Sequence, residues 1–374
     1  MRDMSSPADV TEAPIVALAA VARQAGAPVS IEEIVLDPPG AGEVRVRVTA
    51  SGVCHTDLNA RNGHFVPDFP ILLGHEAAGV IEAVGPGVPA ARVGETVVLN
   101  WRAPCGACRT CRSGRPAMCP TPSVAGPRLR TREGQPLSRV LGLGTFASRT
   151  VVHAAQAVPV PAAVPPEVAC LLGCGVLTGV GAALYAAPVE AGSSVAVIGC
   201  GAVGMSVIQG ARLRRAARVI AVDVKPAKLE LARRFGATDV VDASAADATK
   251  LIRKLAEGGV GTAFDCVGIP ATLQQAMNVC HEGGTAVMIG MPVPKTELPL
   301  SLTRFFYART TLKATFFGDG LATRDFPLLC GLYQRGELLL DELVTERAPL
   351  ADLDAAFAAM ERGETLRTVI TFPA

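Results

Sequence analysis

Net charge, aromatic rings and histidine are all scarce in this 374-residue chain. Lys and Arg number 35 against 34 Asp and Glu, leaving a formal net charge of +1, and the basic residues are spread along the sequence. That balance argues against nucleic acid and anionic membrane as partners, because both favour a concentrated basic surface. Aromatic residues make up 4% and apolar residues 49%, so cores have to be built from Ala, Val, Leu and Gly. A basic, apolar leader is also missing. The opening "MRDMSSPADVTEAP" is acidic and runs into only a short apolar stretch, so no secretory signal is visible and a cytoplasmic location is the default expectation.

One long uncharged run exists, "VACLLGCGVLTGVGAALYAAPV" at 168–189. Its 22 residues match a bilayer in length. However, it holds four glycines and two cysteines, stands alone and follows Pro165 and Pro166. It is expected to form a buried helix with a glycine-rich entry. The eleven cysteines, five of them between 54 and 119, point to metal binding rather than to a disulfide framework in a chain of this size without a signal.

The length suits roughly two domains at about 150 residues each. In the first 175 residues, short β-branched runs such as "EVRVRVTA" and "ETVVLN" are separated by Gly/Pro turns, which predicts irregular β-rich structure. From about 195, "SVAVIG", "RVIAVD", "TDVVDA", "GTAFDCVG", "TAVMIG" and "TLKATFF" read as six strands. The helical stretches between them include "AVGMSVIQGARLR", "PAKLELARRFG" and "PATLQQAMNVCHEG". Such alternation predicts a parallel, doubly wound sheet. The last 55 residues resemble the N-terminal part again in their irregular pattern, and no internal repeat is apparent.

"VAVIGCGAVGMSVIQGARL" places Gly199, Gly201 and Gly204 in G-x-G-x-x-G spacing. The pattern alone is weak, but here a strand precedes it and a helix follows. A second strand ends in Asp223, 19 positions past Gly204, as a dinucleotide site requires. Gly199 permits the tight turn, Gly201 lets backbone N–H groups approach a pyrophosphate, and Gly204 allows close helix–strand packing. The helix N-terminus adds positive potential. Asp223 can accept hydrogen bonds from a ribose hydroxyl and would repel a 2′-phosphate, which favours NAD over NADP.

"CGACRTCRSGRPAMC" sets Cys105, Cys108, Cys111 and Cys119 at C-x2-C-x2-C-x7-C. Four thiolates need a cation, and a closed set of four is a structural zinc site. The rival is an iron–sulfur cluster. Its C-x2-C-x2-C-x3-C-P run is echoed by Pro120, although the gap of seven departs from it. The lobe's Arg109, Arg112 and Arg115 are expected to be solvated surface. A second constellation joins Cys54 of "GVCHTD", His75 of "GHEAAG" and Cys174 of "LLGCGVLTG". Two thiolates and an imidazole leave a fourth zinc position for water or substrate. "HEAAG" is no metalloprotease motif, since Gly79 stands where a second histidine is needed. A Cys54–His55 nucleophilic pair is disfavoured because neighbouring side chains rarely face each other. His64, His153 and His281 read as ordinary surface or core residues, and Cys170, Cys200, Cys266, Cys280 and Cys330 as small buried apolar groups.

With these motifs in this order, the chain resembles the zinc-dependent medium-chain alcohol dehydrogenases over nearly its whole length. The resemblance rests on "GVCHTD", "GHEAAGVIEAVGPGV", the four-cysteine lobe, "GCGVLTG", "VIGCGAVG", "AVDVKPAKLELARRFGATDVV" and "LRTVITF". "LNWRAPCGACRTCRSGRP" and "FFGDG" look most like the actinobacterial mycothiol-dependent formaldehyde dehydrogenases within that family. The resemblance implies an α/β protein with a GroES-like catalytic domain over 1–176, completed by 317–374, and a Rossmann NAD-binding domain over 177–316. It implies catalytic zinc on Cys54, His75 and Cys174 with Glu76 beside it, structural zinc on the other four cysteines, and NAD. Thr56 would bond the substrate oxygen and Asp57 would orient His75. Besides the glycine turn with Ala202 and Val203, NAD would meet Asp223 and Lys228 at the adenosine ribose and His55 and Arg367 near the pyrophosphate. Thr178, Val267, Ile289 and Met291 complete the implied cofactor set. Trp101, Phe146 and Met291 match positions lining the substrate pocket.

Many family members carry the departing proton onward to a histidine at the position occupied here by Asn59, an amide that takes up no proton. The relay is therefore expected to end at His55, at His64 or in water. The implied reaction is hydride transfer between a primary alcohol or aldehyde and NAD(H). The alternative within the class is thiol-dependent formaldehyde oxidation. A catalytically dead nucleotide-binding protein is the remote alternative, opposed by the intact ligand set. A homo-oligomer, most simply a dimer, is implied.

Overall fold

The computed structural model describes residues 13–373 except 66, 67, 245 and 246. Positions 1–12 of the acidic opening lie outside the described residues. Two β-sheets occupy the N-terminal part. One runs in the order Leu129–Thr131, Ser30–Leu36, Ile15–Ala22, Ile71–Leu72 and Ser138–Arg139. The other is centred on Glu43–Gly52, which pairs with Ala77–Val84, Arg149–His153 and Arg367–Thr371. It is buried along most of its length: Val44, Val46 and Val48 have essentially no exposed surface, and Glu43 and Arg45 between them are buried as well. The C-terminal strand Arg367–Thr371 lies antiparallel to it, Val369 opposite Gly52, so the end of the chain is built into the first sheet.

The six strands expected after residue 194 form one parallel sheet. Its order is Asp239–Asp242, Arg218–Asp223, Ser194–Ile198, Val260–Asp265, Cys280–Met288 and Thr311–Ala314. The winding reverses between Ser194–Ile198 and Val260–Asp265, which opens a crevice beyond the carboxyl ends of those strands. This is the doubly wound Rossmann arrangement beside an irregular β-rich unit.

Two expectations need correction. The helix read as "PATLQQAMNVCHEG" stops at Val279, and Cys280 already begins the next strand. Gly283, at φ +78°, is incompatible with a helix running on through the stretch. The run at 168–189 is not one helix but two helical pieces, Pro166–Gly173 and Gly175–Ala186, bent by 56° at Cys174. Among the described residues no single helix is long and apolar enough to cross a membrane.

The expected boundary at 176/177 falls inside the helix Gly175–Gly181. That helix is packed on the one following the glycine turn, since a Cβ on Gly179 would meet Val203 O at 2.4 Å. The chain returns beside it through Phe317, Gly318 and Asp319, all left-handed with φ of 58°, 64° and 55°. Gly318 lies so close that a Cβ there would meet Leu177 O at 2.6 Å. Both crossings between the units are thus side by side.

Candidate active site and metal centres

Cys54 caps the N-terminus of the helix His55–Arg61 with extended backbone angles, φ −129° and ψ 150°. His75 and Glu76 stand just before Ala77–Val84, after a turn at Gly74. Gly74 has φ +96°, and a Cβ there would meet Phe146 N at 2.3 Å, so the turn admits no side chain. Cys174 sits at the 56° bend, with φ −147° and ψ −76°. This break in the helix carries its sulfur to the others. Donor atoms of Cys54, His75, Glu76 and Cys174 all lie within 4.8 Å of one another.

The imidazole is held from behind. Asp57 Oδ1 lies 3.0 Å from His75 Nδ1 and accepts the Gly74 N–H at 2.9 Å, and neither side chain has exposed surface. With Nδ1 donating to a carboxylate, Nε2 offers its lone pair to the centre. Nε2 is buried with no protein hydrogen-bond partner. A lone polar nitrogen of that kind costs free energy unless something coordinates it, and two sulfurs with a borderline nitrogen suit zinc. The donor set therefore fits the ion. The Cys174 bond holds the Cys54 thiol well below its ordinary range against the effect of burial, while the same bond and burial push Cys174 up. Burial drives the Glu76 carboxyl up to about 8, opposed by Arg367.

Arg367, which the resemblance places near the pyrophosphate, has Nη2 3.1 Å from Glu76 Oε1 and Nη1 donating to Val53 O at 2.8 Å. A buried carboxylate without a counter-charge would be costly, which accounts for the pairing. Phe146 departs from expectation. Its ring is fully buried and edge-on to Phe357 at 6.4 Å, so it belongs to the core and exposes nothing to a pocket. Trp101 is half-buried and packed against Phe316 and Phe317, with ring centroids 5.6 and 5.1 Å away. Sequence reasoning missed both phenylalanines as its neighbours, and the only local signal was the "FFGDG" turn. Met291 is 41% exposed and lines a cavity with Asn59, His64 and Phe65. Thr56 is half-buried and His55 exposed, both in the first turn of the Cys54-capped helix.

In the lobe, Cys119 Sγ lies 3.6 Å from Cys105 Sγ and 3.9 Å from Cys108 Sγ. All four sulfurs fall within 4.8 Å of one another. Tetrahedral Zn–S bonds of about 2.3 Å place sulfurs about 3.8 Å apart, so the spacing fits one ion rather than a multi-iron cluster. Backbone N–H groups of Cys108 and Cys111 donate to the sulfurs of Cys105 and Cys108 at 3.3 and 3.4 Å. Together with the Thr121 hydroxyl, such donors lower Cys105 to about 6.

At the crevice, Gly199 is left-handed with φ +92°, and a Cβ on Gly204 would meet Gly199 O at 1.9 Å. A Cβ on Gly201 would meet nothing within 4 Å, leaving open space over the turn. Ala202 and Val203 begin the following helix, Ala202–Leu213. Asp223 ends its strand and accepts N–H bonds from Cys200 at 2.7 Å and Lys225 at 2.9 Å. Lys228 lies in the first turn of the helix Pro226–Phe235. Val267 flanks the turn, its Cγ2 2.6 Å from where a Gly199 Cβ would stand. Ile289 follows Cys280–Met288, and Thr178 is on the helix packed against Val203.

Two family models match, the alcohol dehydrogenase GroES-like domain over 40–162 and the zinc-binding dehydrogenase over 202–335. The chain is 38% identical, over 96% of both chains, to S-(hydroxymethyl)glutathione dehydrogenase of Saccharomyces cerevisiae. An alcohol dehydrogenase zinc-binding domain protein from Burkholderia ambifaria has a similar solved structure. It is 36% identical with a TM-score of 0.91, covering 97% of this chain and 100% of that one. Benzyl alcohol dehydrogenase of Acinetobacter calcoaceticus is 32% identical with a TM-score of 0.89, covering 96% and 100%. The chain belongs to the zinc-dependent medium-chain alcohol dehydrogenases, a family built on two zinc ions and NAD.

Proposed function

We propose that this enzyme transfers a hydride between a primary alcohol or its aldehyde and NAD(H), with the catalytic zinc held by Cys54, His75 and Cys174. The observation that carries the reading is the buried, unpartnered His75 Nε2, oriented by Asp57 and converging with two sulfurs. Bound zinc supplies a Lewis acid that lowers the pKa of a coordinated hydroxyl, as it lowers that of water to about 7, and NAD supplies the hydride acceptor. Asp57 keeps the His75 proton on Nδ1. Glu76 stands beside the three ligands, with Oε1 3.1 Å from Arg367 Nη2. The Thr56 hydroxyl, in the first turn of the helix that Cys54 caps, bonds the substrate oxygen and gives its departing proton a hydrogen-bonded route out. Trp101 and Met291 bound the substrate pocket.

For the cofactor, Gly199, Gly201 and Gly204 with Ala202 and Val203 admit the pyrophosphate, and His55 adds a donor near it. Asp223 and Lys228 take the adenosine ribose. Thr178, Val267, Ile289 and Met291 surround the nicotinamide. Cys105, Cys108, Cys111 and Cys119 hold the structural zinc. Residues 1–176 with 317–374 form the catalytic unit and 177–316 the nucleotide unit, with a dimer as the assembly. The location is the reducing cytoplasm, in keeping with eleven free cysteines.

A second reading is oxidation of the thiol adduct of formaldehyde, supported by likeness to a relative named for S-(hydroxymethyl)glutathione. NADH formation across a panel of primary alcohols, and with formaldehyde plus or minus glutathione or mycothiol, separates the two. Turnover of ordinary alcohols without thiol is expected. Strict thiol dependence would install the second reading, and inactivity throughout would remove both.

A further inference from the structure

Two loops at the carboxyl ends of the parallel strands are tied to a single residue. Asp265 closes the strand Val260–Asp265, between Ile198 of one neighbouring strand and Met288 of the other. It has no exposed surface. Its Oδ1 accepts the N–H groups of Val267 at 3.0 Å and Gly268 at 3.2 Å. Its backbone oxygen accepts those of Ile289 at 2.8 Å and Gly290 at 3.0 Å. Four N–H groups from two loops thus converge on Asp265.

The loops also touch each other. A Cβ on Gly290 would lie 2.3 Å from Gly268 N and Val267 C, and one on Gly268 would lie 2.6 Å from Gly290 O. Gly268 is left-handed besides, with φ +86°, so neither position admits a side chain. Val267 and Met291 flank this contact and leave their apolar side chains exposed, as suits a crevice wall that a ligand covers. Asp265 Oδ2 is buried with no hydrogen-bond partner among the described residues. An apolar side chain would be cheaper to bury there. What the carboxylate adds is its grip on Val267 and Gly268.

Resting on the NAD reading above, we propose that Asp265 is a positioning residue for the nicotinamide end of the cofactor. It holds Val267, Ile289 and Met291 as one wall before NAD arrives, which spares binding the cost of ordering them. The adenosine and pyrophosphate are left to the glycine turn, Asp223 and Lys228.

The test compares NAD with ADP-ribose, which lacks the nicotinamide, by calorimetric titration of the full-length zinc-loaded protein. Asp265→Ala is expected to weaken NAD on the order of tenfold, the scale of ordering a few loop side chains on binding, while holding ADP-ribose as wild type does. Asp265→Asn keeps an oxygen for both N–H groups and should recover most of the NAD affinity. Gly290→Ala forces the loops apart with Asp265 in place and should repeat the selective loss, which keeps the test open if Asp265→Ala does not fold. Equal weakening of both ligands in Asp265→Ala and Gly290→Ala overturns the proposal, because a general loss of structure would do that. Unchanged NAD affinity in either also overturns it. Wild-type protein that binds ADP-ribose as tightly as NAD would remove the nicotinamide wall and leave the dinucleotide site standing. Wild-type protein that binds neither removes the parent reading along with this one.

Discussion

Asp57 Oδ1 accepts two buried hydrogen bonds, from Gly74 N–H at 2.9 Å and from His75 Nδ1 at 3.0 Å, and so ties the turn and the imidazole to one oxygen. Asp57→Ala frees the ring to rotate and leaves the Gly74 N–H unpaired. The expected result is a 10- to 100-fold weaker hold on one zinc of two, roughly the effect of losing such an outer partner. Metal content after dialysis against a chelator checks it. Asp57→Ala should keep the lobe zinc and lose the other at chelator levels the wild type tolerates, and equal retention of both ions would contradict the role given to Asp57. At this scale the ligands were legible because zinc demands particular atoms, and cysteine and histidine are few enough to count. The ion pair of Arg367 with Glu76 was not. It depends on which way a buried guanidinium turns, and no local pattern encodes that. Phe146 failed for a related reason: a matching position fixes where the backbone passes, not which face its ring presents.

The glycine turn between Ser194–Ile198 and Ala202–Leu213 separates packing from binding. A Cβ at Gly204 would lie 1.9 Å from Gly199 O, whereas one at Gly201 would meet no protein atom within 4 Å. Gly204→Ala must therefore push the helix off its strand, with a cost of about 1–3 kcal/mol typical of overpacking. Gly201→Ala should melt like wild type yet bind NAD far more weakly, because its methyl occupies space meant for the pyrophosphate. Thermal melts and NAD fluorescence titration read the two effects apart. Normal NAD affinity in Gly201→Ala would show that the open space over the turn is not the phosphate site. The strands here were legible as alternating or continuous β-branched runs bounded by turn residues. The bend at Cys174 was not, since composition reports that a segment is apolar and long but not that a metal ligand in its middle must leave helical geometry. The early end of the helix at Val279 was hidden likewise, because "CHEGG" has no apolar periodicity to mark where one element yields to the next.

At the scale of the whole molecule, one helix among the described residues presents a strongly exposed apolar face. The helix Leu302–Ala308 has no buried residue, and its Leu302, Phe306 and Tyr307 are 75%, 74% and 72% exposed. It precedes Thr311–Ala314, the last strand of the six-stranded sheet, which among the described residues pairs on one side only. An open edge next to exposed apolar side chains invites another strand. The molecule carries little charge to oppose a second copy, at +1 overall. Two such edges related by a two-fold axis would continue the sheet from one subunit into the next and cover both helices. The dimer reading therefore predicts that wild-type protein sediments at twice 38.6 kDa at micromolar concentration. Phe306→Glu, which places a charge at the centre of the apolar face, should shift it to monomer without lowering zinc content. A wild-type monomer at every accessible concentration would remove the dimer, and a Phe306→Glu dimer would move the interface elsewhere. Because the edge strand follows directly from the sheet that ends at the cofactor crevice, dimer formation should also raise the temperature at which NAD binding is lost. Phe306→Glu should lower that temperature even where its NAD affinity at 25 °C is unchanged.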